Sequence, residues 1–75
     1  MFDIDLNDHE SVYNIVRVEM SKNEPLFLEE FTKLFILEKN EASIKIIYAV
    51  SMHDRKLARK LFNACMDKLA SLVAK

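Results

Sequence analysis

The sequence predicts an all-α fold, a compact bundle of about four helices with an extended N-terminal arm. Residues 54–75 contain neither Gly nor Pro, and their leucines recur at helical spacing. Two earlier segments show the same periodicity, and Asn, Asp and Pro stand where helix ends are expected. We place one domain over residues 1–75, with helices near 8–22, 25–39, 42–52 and 54–74.

The N-terminal residues 2–6 alternate between apolar and acidic side chains. This alternation is typical of a strand, and we interpret it as an extended arm or an edge strand. Asn7 followed by Glu10 has the spacing of a capping box and predicts the start of the first helix. That helix ends before Pro25, because the residue before a proline avoids helical angles. Its apolar face comprises Val12, Tyr13, Ile15, Val16 and Met20.

Pro25 suits the first turn of a second helix, where its missing N–H has no cost. Three of the five phenylalanines lie on one face of this helix and should supply much of the core. Asn40 is predicted to end the helix in the left-handed conformation that Gly usually provides. The apolar face comprises Phe27, Leu28, Phe31, Leu34 and Phe35.

Residues 44–50 allow two interpretations. Their β-branched content favours a strand, which together with residues 2–6 would give an α+β fold. Their flanking residues fit a helix, which we prefer. This helix would be deeply buried because it is apolar nearly all round.

We predict a break at 52–54 with Asp54 as N-cap. The alternative is one helix running from about residue 42.

The last helix carries more apolar surface than one packed face needs. A surface helix usually has an apolar stripe about 100° wide, and this one is nearly twice as wide, so it requires neighbours on two sides. The predicted core stripe comprises Leu57, Ala58, Leu61, Cys65, Leu69 and Leu72. Beside it lies a second set, here called the outer band, comprising Arg55, Arg59, Phe62, Met66 and Val73.

The amino-acid composition indicates the cell compartment and the class of protein. The chain is 51% hydrophobic and holds a single Cys, so no intramolecular disulfide supports its core. The N-terminus is acidic, unlike a signal peptide, and the longest apolar run is too short for a membrane span. We therefore expect a cytoplasmic protein without membrane contact. Residues 1–43 carry ten acidic and four basic side chains (−6), and 44–75 carry two and seven (+5).

No catalytic set is recognisable. His9 and His53 each stand beside an Asp, but no other ligands stand at metal-binding spacing. Cys65 lies among leucines, where a thiol is buried and unreactive. A chain without Gly offers no familiar phosphate-binding loop. We expect no enzyme, no cofactor and no metal site.

Partner binding is the preferred hypothesis. The outer band combines Arg with Phe and Met, which are enriched in protein interfaces, and a symmetric homodimer is a common way to bury such a surface. The alternative is a regulator that binds nucleic acid, because residues 43–62 have the order helix, turn, basic helix. The basic cluster for that alternative comprises Arg55, Lys56, Arg59 and Lys60.

Overall fold

The structure, a computed structural model, describes residues 5–38 and 40–73. Its helices are α1 (His9–Lys22), α2 (Glu24–Lys33), a π-helix (Leu34–Glu38), α3 (Asn40–Ser51) and α4 (Arg55–Val73). The all-α prediction is confirmed. Residues 44–50 are helical, so the α+β alternative is wrong, whereas the arm or strand predicted at 2–6 lies largely outside the described residues.

The first helix begins one residue later than the predicted capping box requires. Asp8 is the N-cap, and its carboxylate accepts hydrogen bonds from the backbone N–H of Ser11 at 3.3 Å and from the Ser11 hydroxyl at 2.8 Å. Asn7 instead donates its N–H to the Asp5 carboxylate at 2.9 Å. An Asp accepts from a free N–H as well as an Asn does, so the two neighbours compete and the prediction of Asn7 is wrong.

One residue connects α1 to α2. The Asn23 N–H donates to the Glu19 carbonyl at 3.2 Å and so ends α1. Its side-chain oxygen accepts from the Leu26 N–H at 3.2 Å and so caps α2. Pro25 lies in the first turn of α2, as predicted. A single residue is enough for the connection because it serves both helix ends.

The second predicted helix does not continue to residue 39 as an α-helix. It widens into the π-helix, in which Leu34, Phe35 and Ile36 are all partly buried while Leu37 is exposed. Asn40 begins α3, and no described residue has a positive φ. The predicted left-handed end at Asn40 is therefore wrong, because the second helix ends as a π-helix and Asn40 already belongs to α3.

All four α-helices contribute to one core. α3 packs against α1 and α4, and α2 packs against the same two helices. Phe27 and Phe31 stack in the core with ring centroids 6.1 Å apart, which confirms the predicted role of the second helix. The buried apolar residues are Val12, Val16, Met20, Phe27, Phe31, Ile46, Ala49, Val50, Ala58, Leu61 and Cys65.

Candidate functional site

The candidate site is the exposed side of α4, and it starts at a sharp turn. The N–H groups of His53 and Asp54 both donate to the Val50 carbonyl, at 3.0 and 2.8 Å, and end α3. The Asp54 carboxylate accepts from the N–H groups of Lys56 at 3.1 Å and Leu57 at 3.2 Å. The predicted break at 52–54 and the predicted cap are confirmed, and the continuous-helix alternative is wrong.

The first turns of α4 carry the predicted basic cluster, and all four of its side chains are exposed. Lys60 forms an ion pair with Glu24 of α2 at 3.2 Å. Within the described residues, Arg55, Lys56 and Arg59 form no ion pair. The first turn of α4 has no acidic residue, although a helix N-terminus favours negative charge. The Arg side chains therefore stand at an unfavourable end of their own helix.

The far end of α4 extends beyond the helix packed beside it. α3 has 12 residues and α4 has 19, and a short turn joins them. Residues 67–73 are all exposed, a stretch of roughly 10 Å at the α-helical rise. Leu69 and Leu72, predicted to lie in the core, are 37% and 45% exposed. That part of the core-stripe prediction is wrong because no helix among the described residues covers this end.

The apolar members of the outer band differ in exposure. Phe62 is 50% exposed and Val73 is 84% exposed, whereas Met66 is partly buried against the core. Leu69, which the outer band does not contain, lies between Met66 and Val73 on the same side of the helix. Residues 62, 66, 69 and 73 are separated by four, three and four positions, which is the repeat of a coiled-coil seam. That spacing is the signal that could have identified Leu69.

A second exposed apolar stripe runs along α3. Ile44, Tyr48 and Met52 recur every four residues and are all exposed, so the predicted deep burial of this helix is wrong on one side. The His9 ring meets the Tyr48 ring edge-on at 5.4 Å, and Tyr13 stacks on His53 at 5.0 Å. One side chain of this stripe, Tyr48, is thus already in contact with α1.

Cys65 is the other side chain with potential chemistry. It is completely buried, and burial raises the pKa of its thiol to about 11. The His53 ring stacks on Tyr13 beyond the N-terminus of α4, and Cys65 lies roughly 16 Å further along the helix axis. The structure keeps these two groups apart, and the thiol lacks the electropositive setting that activates a cysteine.

Within the described residues, no group of three or more His, Cys, Asp or Glu side chains is arranged to hold a metal ion. No helix in residues 5–38 or 40–73 combines the length and the apolar character needed to cross a membrane.

Comparison of the chain with protein-family models, with curated proteins and with solved structures gives no match.

Proposed function

We propose that this protein is a small cytoplasmic interaction module, a regulator, inhibitor or adaptor, that forms a homodimer through the exposed face of α4. The observation that carries the proposal is the apolar end of α4, where Phe62, Leu69, Leu72 and Val73 are all exposed. A run of exposed apolar residues on one helix is typical of a surface that a partner covers. The single buried thiol fits a reducing compartment.

The amphipathic face of α4 supports the choice of a protein partner. The outer band places Arg beside Phe and Met, the types enriched in interface centres. The alternative is that another helix of the same chain covers this band. Within the described residues, α4 packs against α2, α3 and the π-helix, and Phe62 remains half exposed with all three in place.

The proposed partner is a second copy of the chain, and the surface suits a weak association. The apolar part of the band spans about three turns of helix, which is short for a permanent interface. We expect a dissociation constant on the order of 10 μM. The protein would then exchange between monomer and dimer at cellular concentrations, as expected of a regulator.

Sedimentation equilibrium tests this proposal. The wild type should shift from monomer to dimer as its concentration rises through the micromolar range. The double variant Phe62→Asp, Met66→Asp should stay monomeric, because dimerisation would bury two unpaired carboxylates. Ile44→Asp is the matched control, since Ile44 is equally apolar and 58% exposed but lies on α3. It should dimerise like the wild type.

Two results would reject the proposal. If the wild type stays monomeric at high micromolar concentration, the surface does not mediate self-association. A double variant that dimerises as well as the wild type places the interface elsewhere. Circular dichroism of each variant checks that the fold persists.

A nucleic-acid-binding regulator is the second candidate function. It is supported by Arg55, Lys56 and Arg59, which are exposed and form no ion pair in the described part of the chain. Such a site predicts binding to DNA or RNA that weakens steeply with salt. Fluorescence anisotropy with duplex and single-stranded oligonucleotides at low salt is the test. The Lys56→Glu variant should bind more weakly, and an absence of wild-type binding rejects this function.

A further inference from the structure

We infer that two copies of α4 pair side by side in antiparallel orientation, centred near residue 64. The inference rests on the proposed homodimer and specifies its geometry. It follows from the spacing of residues along one face of α4, exposed except for the partly buried Met66, from their symmetry about one point, and from the distribution of charge along the helix.

The exposed face of α4 has the repeat of a coiled coil. Starting at residue 55, positions on this face are separated alternately by four and three residues over the whole length of the helix. An average spacing of 3.5 residues keeps such a row facing one partner helix. We call this row the α4 seam; it comprises Arg55, Arg59, Phe62, Met66, Leu69 and Val73.

The seam is self-complementary when the second helix runs in the opposite direction. Because the pair is centred at residue 64, each seam position lies beside a seam position of the other copy, and their two numbers sum to 128. Residue 55 lies beside 73, 59 beside 69, and 62 beside 66. Phe62 of each copy lies beside Met66 of the other, so this contact occurs twice. It lies at the centre of the interface, where large apolar anchors contribute most to binding. The Arg59 side chain lies over Leu69 of the second copy and can bury its aliphatic stem there.

The charges favour the antiparallel orientation over the parallel one. In a parallel pair, Arg55 and Arg59 would each face their own copy, and like charges at an interface repel. In the antiparallel pair they lie at opposite ends. Arg55 then approaches the C-terminal end of the second α4, which is the negative end of the helix dipole. As far as it is described, the last turn of α4 has no basic residue that would repel this Arg.

This arrangement accounts for two features of one helix together. The Arg side chains at the start of α4 stand at an end that disfavours positive charge, and the apolar end of α4 lacks cover. An antiparallel second copy places the Arg side chains of each α4 against the exposed apolar end of the other, at both ends of the interface. An unrelated partner would have to supply an apolar surface and an acceptor for Arg of its own.

Disulfide trapping in the full-length chain tests the orientation. Arg59→Cys and Leu69→Cys variants, one carrying a mass tag, are mixed in equal amounts and oxidised. Antiparallel pairing places residue 59 beside residue 69 of the second copy, so the mixed disulfide should predominate. Two residues 59 would be about 15 Å apart along the axis, beyond the reach of a disulfide. Wild-type protein is the control, because its buried Cys65 should not cross-link.

The outcomes separate the geometry from the function. A dimer whose Arg59→Cys variant links mainly to itself is parallel, which overturns the inference and leaves the homodimer in place. A dimer in which neither combination links uses another surface, which also overturns it. A wild type that is monomeric in sedimentation removes the homodimer and this inference together.

A charge reversal provides an independent test with a matched control. Arg55→Glu and Lys56→Glu both place an acid in the first turn of α4, and both should raise the melting temperature of the dilute monomer. Arg55 lies on the seam and Lys56 does not. Arg55→Glu should therefore weaken dimerisation about tenfold, while Lys56→Glu leaves it unchanged. In a parallel pair, Arg55→Glu would exchange one pair of like charges for another, so dimerisation as strong as in the wild type would contradict the inference.

Discussion

The hydroxyl of Ser43 lies in the core beside the buried face of α3. It is completely buried and has no hydrogen-bond partner within residues 5–38 and 40–73. A buried polar group without a partner lowers stability, because folding removes its hydrogen bonds to water and restores none. The first turn of α3 thus contains a small destabilising feature that an apolar side chain would not have.

Replacing this hydroxyl should stabilise the protein. We expect Ser43→Ala to raise the free energy of unfolding by about 1 kcal/mol, measured by urea denaturation. Ser51→Ala is the control, because the Ser51 hydroxyl donates to the Tyr48 carbonyl at 2.6 Å near the surface. That variant should gain nothing. A Ser43→Ala protein that is less stable than the wild type would show that the hydroxyl has a partner in solution.

Cys65 should make stability depend on alkaline pH. Its thiol has a pKa of about 11 in the folded state against an ordinary value of 9.0. The unfolded state therefore loses the proton first, so this contribution is complete below pH 9 and is lost as pH rises from 9 to 11. The loss should be on the order of 2 kcal/mol.

A Cys65→Ala variant isolates this contribution from other groups that titrate at alkaline pH. Removing the sulfur from a filled core should cost about 1–2 kcal/mol at neutral pH. The difference in unfolding free energy between wild type and variant should shrink between pH 9 and 11. A constant difference over this range would contradict the assigned burial, as would rapid reaction of the folded protein with a thiol reagent at pH 8.

At the scale of elements, the start of α4 depends on a single cap. Asp54 accepts two backbone hydrogen bonds and is the acid nearest to Arg55 and Lys56 in the sequence. We expect Asp54→Ala to lower the free energy of unfolding by about 1–2 kcal/mol. Asp54→Asn should lose much less, because Asn is an equally good cap. Thermal unfolding of both variants is the measurement, and equal losses would indicate that charge, not capping, is what matters.

Helix ends with a local cause could be predicted from the sequence. Asp54 and Pro25 mark their helices through side-chain chemistry that acts over three or four residues, and the structure confirms both. The cap at Asp8 was missed because Asn7 has similar chemistry one position earlier. The widening of α2 into the π-helix has no local signal, since Leu34–Glu38 has the composition of an ordinary helix.

The exposed end of α4 could not be predicted from its own sequence. Leu72 lies on the same side of the helix as buried Leu61 and Cys65, and Leu69 follows Cys65 by one turn, so periodicity assigns all of them to the core. Their exposure depends on how far the neighbouring helices extend. The structure shows α3 to be shorter than α4 and residues 67–73 of α4 to be exposed, and a helical wheel contains neither fact. The seam spacing, in contrast, was present in the sequence.

In the whole molecule, ion pairs between the acidic and basic halves compensate only part of the charge imbalance. Lys60 and Glu24 join the basic and acidic halves. The other ion pairs of the described residues lie within single helices, three or four positions apart, where they contribute little. Positive charge thus remains at the start of α4, next to the apolar surface that the proposal assigns to a second copy.

In the proposed dimer, a second copy covers the end of α4. Amide hydrogen exchange of residues 67–73, followed over a range of protein concentrations, measures this cover. We expect fast exchange in dilute protein and slower exchange as the concentration rises. The Phe62→Asp, Met66→Asp variant and the buried turns of α1 should show no such dependence. If residues 67–73 exchange at the same rate from low to high concentration, no second copy covers them.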